Sequence, residues 1–335
     1  MTPAADAGCS PAGGQQSSTP PTGAGTSVGS GGWGWSEWNA SVSLSLSGQS
    51  GGLLKKPRTR CRFSEYVVGA TVIGGDIYDH ESLVAAFKQV DVVISAVGHH
   101  GPHDLEDGQL RIVAAIKEAG NVRRFVPSEY GCDVEQAARS AAVLEPARSI
   151  LLAKVRVRDA VRAAGIPHTF ICSYWAHGFV LPRLGDPHVD GPPATKATVF
   201  GDDATRAIFV HEADKAALTV RAVDDPRALD KILYVRPAAN TCSLAHLVRL
   251  WEDKTGRALD KYYMPEEELV ARIRDSPLPL NFQLAMVHAT VVAGVCDQTV
   301  DAEAGGVEAT DLYPDVNYVT VDDFLDGLKE GITVN

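Results

Sequence analysis

From Tyr66 onward, hydrophobic and polar positions alternate regularly between short, near-continuous apolar runs and longer amphipathic ones. The runs predict a strand over 67–73, a helix over 81–88, a continuous apolar strand over 91–97, and an amphipathic helix over 105–119 closed by Gly120. A strand over 122–126 follows, then a helix over 146–164 with Pro146 near its first turn and Gly165 at its end, and a strand over 168–172. Strands without polar alternation are covered on both faces, so this order predicts an α/β fold with a Rossmann-like, doubly wound parallel sheet. Beyond residue 175 the pattern loosens into proline-rich loops, a strand pair over 198–210, helices over 214–223 and 243–255, and a final helix from Val321. Residues 176–205 and 240–335 are expected to form a smaller C-terminal lobe capping the sheet.

Residues 1–62 are different: Gly, Ser, Thr and Pro dominate and no apolar period is present. Such a segment buries too little apolar surface to offset its ordering entropy, so it is expected to be disordered. It contains a literal Gly-x-Gly-x-x-Gly at Gly29, Gly31 and Gly34, with neither a strand before it nor a helix after it. Without that frame the amides have nothing to aim them at a pyrophosphate, and the match is a chance one. The predicted sheet therefore lacks a recognisable first β-α-β unit. The basic run at Lys55, Lys56, Arg58, Arg60 and Arg62 reads as a solvated linker, ahead of a targeting segment or an aberrant start.

Charge narrows the function classes. With 31 basic and 42 acidic residues the net charge is −11, the wrong sign for general phosphate neutralisation, so no nucleic-acid partner is expected. No apolar run reaches the length of a bilayer span, so no membrane partner is expected either. Six widely spread cysteines without a Cys-x-x-Cys pair suit reduced thiols in a cytoplasmic protein, and no metal site is expected.

Chemistry concentrates near residues 127–131, where a buried-type strand ends in Pro127-Ser128-Glu129. Open α/β sheets bind their ligands at the carboxyl ends of their strands. Lys154 projects from the apolar face formed by Ile150, Leu151, Val157 and Val161, so it must snorkel out, find a partner or face a cavity. Arg158 lies one turn on, and two cations at that spacing repel unless an anion joins them. Desolvation and a neighbouring cation both lower a lysine's pKa, which makes its amine usable as a base near neutrality. Ser95 to Gly98 close the most apolar strand with small residues that let a ligand approach, ahead of His99 and His100. His288 sits in an otherwise apolar helical stretch and reads on pattern alone as a satisfied core residue. Neither a Gly-x-Ser-x-Gly elbow nor a Walker loop occurs.

Several ordered blocks carry a family resemblance: 74–83, 91–98, 116–122, 127–131, 224–227, 233–237 and 312–316. Over roughly 66–330 the chain resembles the isoflavone reductase-like family of plant NADPH-dependent reductases, which are NmrA-like, atypical short-chain dehydrogenases. The resemblance implies an NADPH-dependent reductase of phenylpropanoid-type phenolics with a small phenolic substrate; a homodimer is one expectation for its assembly. It further implies that Lys154 is the proton acceptor and that Arg158 contacts the cofactor, with Ser95, Gly98, Pro127 and Ser128 edging the cofactor cleft. His288, Ser173, Tyr174 and Trp175 would line the substrate side, and the C-terminal lobe becomes a substrate lobe. In the implied mechanism Lys154 removes a phenolic proton, the benzylic ether opens toward a quinone methide, and NADPH delivers hydride.

The departures set the alternatives. Residues 1–65 show none of the family's glycine-rich loop or its 2′-phosphate arginine, which would impair cofactor binding. Cys132 stands where relatives carry histidine or asparagine, Asp203 replaces a glycine, and Tyr174-Trp175 replaces Asn-Cys or Asn-Phe. A non-catalytic dinucleotide sensor or interaction protein, or an inactive aberrant product, are the alternative readings.

Overall fold

Hydrogen bonding at element ends explains where the elements begin and stop. The computed structural model describes residues 41–45, 52–54, 73–98 and 101–333, all within one compact unit. The strand pair β1 (Ser41–Ser45) and β2 (Gly52–Leu54) precedes α1 (His80–Phe87), whose N-cap Asp79 accepts from the Ser82 amide. Then come β3 (Val92–Ala96), α2 (Pro102–Ala119), β4 (Arg124–Val126), α3 (Val134–Arg139) and α4 (Ala147–Ala163). Helix α2 starts with proline at its first turn and stops at Gly120, whose φ of 73° is the left-handed cap that glycine tolerates.

The chain continues through β5 (Thr169–Cys172), β6 (Trp175–Ala176), α5 (His177–Val180), β7 (Lys196–Phe200), β8 (Ala207–Val210), α6 (Glu212–Asp224) and β9 (Lys231–Tyr234). It closes with β10 (Thr241–Cys242), α7 (Leu244–Thr255), β11 (Asp260–Met264), α8 (Glu266–Asp275), α9 (Leu280–Val291), β12 (Gly306–Glu308), α10 (Ala309–Leu312) and α11 (Val321–Thr333).

Strands β3 and β4 pair in parallel, a bridge between Phe125 and His168 joins β4 to β5, and β5, β9 and β12 continue the parallel order. The α/β, Rossmann-like expectation holds. Every residue of β4 and β5 is buried, as strands covered on both faces require. Helices α1, α2 and α4 pack side by side, and α6 lies against β4 and β5.

The free flank of β3 is paired antiparallel by β1, through Ser41 with Ala96 and Ser43 with Ile94. The alternating segment Ser-Val-Ser-Leu-Ser, which lies inside the stretch read as disordered, thus supplies backbone partners to an apolar strand that would otherwise be an open edge. The remainder of 1–62, including the three-glycine match and the basic run, lies outside the described residues, as do residues 67–72 of the expected first strand; Ile73 is in coil.

One further expectation needs correction. Strands β7 and β8 are not partners: β7 pairs with β11, and β8 lies between β6 and β10. The hydrophobic pattern marks strands but carries no partner information, and the turn between these two does not close a hairpin. Strand β12 extends the main sheet beside β9.

Gly201 ends β7 at φ 71°, and a Cβ there would lie 2.9 Å from both Cβ and O of Val291 on α9. Gly201→Ala is expected to lower stability by about 2 kcal/mol, combining left-handed strain with a backbone clash, and urea denaturation would read it.

Candidate active site

At the carboxyl ends of β3 and β4 one buried glutamine ties the two strands together. Gln109 on α2 donates through Nε2 to Ser95 Oγ at 2.8 Å and accepts through Oε1 from the Ser128 amide at 3.2 Å. The Ser128 hydroxyl donates to the Val97 carbonyl at 3.0 Å, so Ser95, Val97 and Ser128 form one connected rim, with Gly98 beside it. Pro127 is buried beneath. Four residues expected at the cofactor cleft are therefore brought together; Ser95 itself is fully buried and acts on the rim through Gln109.

Lys154 projects from α4 toward this rim and donates through Nζ to the Glu129 carbonyl at 2.8 Å. Burial pushes its pKa below the ordinary value; Glu129 and the Cys132 thiol pull the other way, and Arg158 adds to the lowering. That direction favours a neutral amine, the form a general base needs.

Arg158 is placed differently from expectation. Its side chain has no exposure, and its donors meet Glu129 Oε2 at 2.9 Å and Oε1 at 2.6 Å, Asp133 Oδ1 at 3.0 Å and Glu135 Oε2 at 3.1 Å. The guanidinium lies 4.7 Å from the centre of the Phe170 ring. Burial works against its charge, but the Glu129 carboxylate outweighs this and holds its pKa well above the ordinary value. The expected cofactor contact thus has no free surface or donor to make it. The anion that the Lys154 and Arg158 spacing called for comes from the protein itself.

Asp133 is held in turn by the Tyr234 hydroxyl, by Gln136 Nε2 at 3.0 Å, and through its backbone by the Gln298 side-chain amide at 3.2 and 3.3 Å. Glu135 is shared with Arg162.

On the other side, Ser173, Tyr174 and Trp175 leave the end of β5. Tyr174 adopts φ 51°, rare for a bulky residue, fixed by its amide donating to the Gly131 carbonyl at 3.1 Å and its carbonyl accepting from Lys215 Nζ at 2.9 Å. Trp175 donates through Nε1 to Thr290 Oγ1 on α9 at 3.1 Å and stacks on Phe179 with 6.4 Å between ring centres. An apolar cleft beside it is lined by Phe179, Phe209, Gln283, Val287 and Thr290. Of the residues expected on the substrate side, Trp175 is the one it includes. His288 is buried on α9 between Val287 and Thr290 but is not part of the cleft lining, with Nε2 3.2 Å from Glu266 Oε1 and no partner at Nδ1. The Ser173 hydroxyl is likewise buried without a partner.

Gln109, Thr290, Asp133 and Lys215 were missed by sequence reasoning. Burial brings the pKa of Lys215 down to about 7, but no pattern around it in α6 marks it. Glu129 was in view as part of the strand-end motif without a role of its own.

A model of the NmrA-like family matches residues 63–325. The chain belongs to the NmrA-like family. It is 48% identical over 260 residues, 77% of this chain and 81% of the relative, to a phenylcoumaran benzylic ether reductase of Betula pendula. It is 47% identical over 257 residues, again 77% of this chain and 81% of the relative, to eugenol synthase 1 of Petunia hybrida. Among solved structures, an isoflavone reductase superposes with a TM-score of 0.74 at 36% identity, covering 83% of this chain and 90% of its own. AtPrR2 with NADP+ and (+)pinoresinol gives 0.70 at 36% identity, covering 78% and 82%.

As an NmrA-like protein, the chain accounts physically for some of its departures. Asp203 pairs with both terminal nitrogens of Arg249 at 2.6 and 2.9 Å and accepts from Ser243 at 2.7 Å, so a carboxylate there fastens the β7–β8 turn to α7. Cys132 is a buried thiol whose pKa burial pushes up to about 11, a packing residue rather than a nucleophile. Toward a dinucleotide, the described residues offer the Ser95, Val97 and Ser128 rim at the carboxyl ends of β3 and β4. No Gly-x-x-Gly-x-x-Gly turn occurs among them for the phosphates.

Proposed function

We propose that this NmrA-like chain is an NADPH-dependent reductase of phenylpropanoid-type phenolics, with Lys154 as its proton acceptor. One observation carries the reading: a lysine amine with a pKa lowered by burial, pinned to a backbone carbonyl at the carboxyl ends of the sheet. In its neutral form the amine spends one hydrogen on the Glu129 carbonyl and keeps its lone pair for a substrate proton. Taking a phenolic proton raises electron density in the ring and weakens a benzylic carbon–oxygen bond conjugated with it. NADPH, when bound, supplies the hydride that completes a reduction. Ser95, Gly98, Pro127 and Ser128 are assigned to the cofactor side, and Ser173, Tyr174, Trp175 and His288 to the substrate side. Relatives of nearly equal identity are a reductase and a synthase by name, so the proposal commits to a reaction class and leaves the individual phenolic open.

Titration of the purified protein with NADPH, followed by nicotinamide fluorescence, tests the reading first, and turnover of a phenylcoumaran benzylic ether tests it second. Silence in a folded protein overturns it, and binding without turnover favours a sensor. Thr290→Val should free the Trp175 indole and raise KM about fivefold with kcat nearly unchanged, the effect of about one lost hydrogen bond in a binding wall.

A further inference from the structure

The residues behind Lys154 form a device of their own. Glu129 touches Lys154 through its backbone carbonyl and Arg158 through both carboxylate oxygens, so one residue positions the amine and grips the neighbouring cation. The Arg158 pair is fully desolvated, at 0% and 4% side-chain exposure, where charges are screened least. The groups acting on the Lys154 amine are Glu129, Cys132, Arg158 and Cys172. Both thiols are buried and held protonated by that burial, so the carboxylate and the guanidinium are the two charges that count. They act in opposite senses on the same amine.

We propose that Glu129 and Arg158 are positioning residues forming a buried, opposed charge pair that sets the location and charge state of Lys154, and that Arg158 acts on catalysis through this pair and not by touching the cofactor. This inference rests on the reading of Lys154 as the base. Asp133 and Glu135 complete the device by holding Arg158 in place from its other side, so that its charge persists when Glu129 is altered. Cofactor binding would then leave Arg158 where it is, since every donor it has is already committed to the protein.

The test compares Glu129→Gln, Glu129→Asp, and the double variant Glu129→Gln/Arg158→Met with the full-length wild type. The first readout is the pH dependence with which the Lys154 amine is acylated by a small anhydride, followed by mass spectrometry, which does not require activity. Glu129→Gln keeps the carbonyl but removes the negative charge, so the ammonium is less favoured and the profile should move down by about one pH unit. Removing the opposing cation as well, in the double variant, should bring it back toward wild type. Glu129→Asp keeps the charge and should stay near the wild-type profile. A merely structural role would change folding or amplitude without moving the profile in opposite directions.

The second readout is NADPH affinity. It should be unchanged in the double variant, and a loss of more than about tenfold would show that Arg158 does hold the cofactor, overturning the proposal. Coincident acylation profiles for wild type and Glu129→Gln would overturn it equally. If wild type neither binds NADPH nor turns over a phenolic at any pH, the reductase reading fails, while the acylation profiles still decide the charge pair.

Discussion

Lys154→Ala is expected to reduce NADPH-dependent turnover of a phenolic substrate by about a thousandfold at neutral pH, within the range for loss of a positioned general base. NADPH affinity should hardly change, because the rim proposed for the cofactor is tied together by Gln109, Ser95 and Ser128 without help from Lys154. Stability should hardly change either. The substitution removes one hydrogen bond from the Glu129 carbonyl and relieves α4 of a desolvated amine. Stopped-flow measurement of NADPH oxidation beside equilibrium fluorescence titration separates the two effects. A residual rate within tenfold of wild type would remove Lys154 from the role of base. Loss of cofactor binding in parallel would instead place it against the cofactor.

Arg158→Met should have the opposite signature, with stability as the main casualty. The variant strands the Glu129 carboxylate, whose two oxygens meet Arg158 in a site almost closed to water, and takes one partner from Asp133. Breaking a buried ion pair by removing one member costs about 3–5 kcal/mol, because the charge left behind is uncompensated. Urea denaturation should show this as a fall in the midpoint at unchanged slope. Adding Glu129→Gln should recover most of the loss, since a neutral pair in a buried position is close to the ion pair in net stability. A single variant as stable as wild type would mean that water or rearrangement reaches Glu129. In that case the enclosure described for this site would be wrong.

Much of the fold was legible because burial on both faces leaves unbroken apolar runs, as at Val92 to Ile94 and Phe170 to Cys172. Glycine and proline marked the ends of α2 and α4 for local steric reasons that need no tertiary context. Strand partners were less legible, since the runs that became β7 and β8 carry no label for β11 or β6.

The site divides in the same way. The unease of a lysine and an arginine at adjacent turns of an apolar helix face was readable from spacing. Its resolution was not, because Glu129, Asp133 and Glu135 approach Arg158 from 23 to 29 residues away along the chain. Family resemblance pointed Arg158 toward the cofactor; packing turned it inward. Trp175 could be named as an aromatic departure, but its anchor Thr290 lies 115 residues further on, and nothing local announces that pairing.

The cluster around Asp133 also bears on protein engineering. Its backbone is held by Gln298, its carboxylate by Tyr234 and Gln136, and the same carboxylate meets Arg158 of α4. A designer who transplants residues 127–135 from a relative to change selectivity would be moving one panel of a box whose other walls belong to α4, β9 and the stretch after α9. Grafts at this position should succeed as sets of four matched segments, and single-loop chimeras should give insoluble or inert protein whatever the donor.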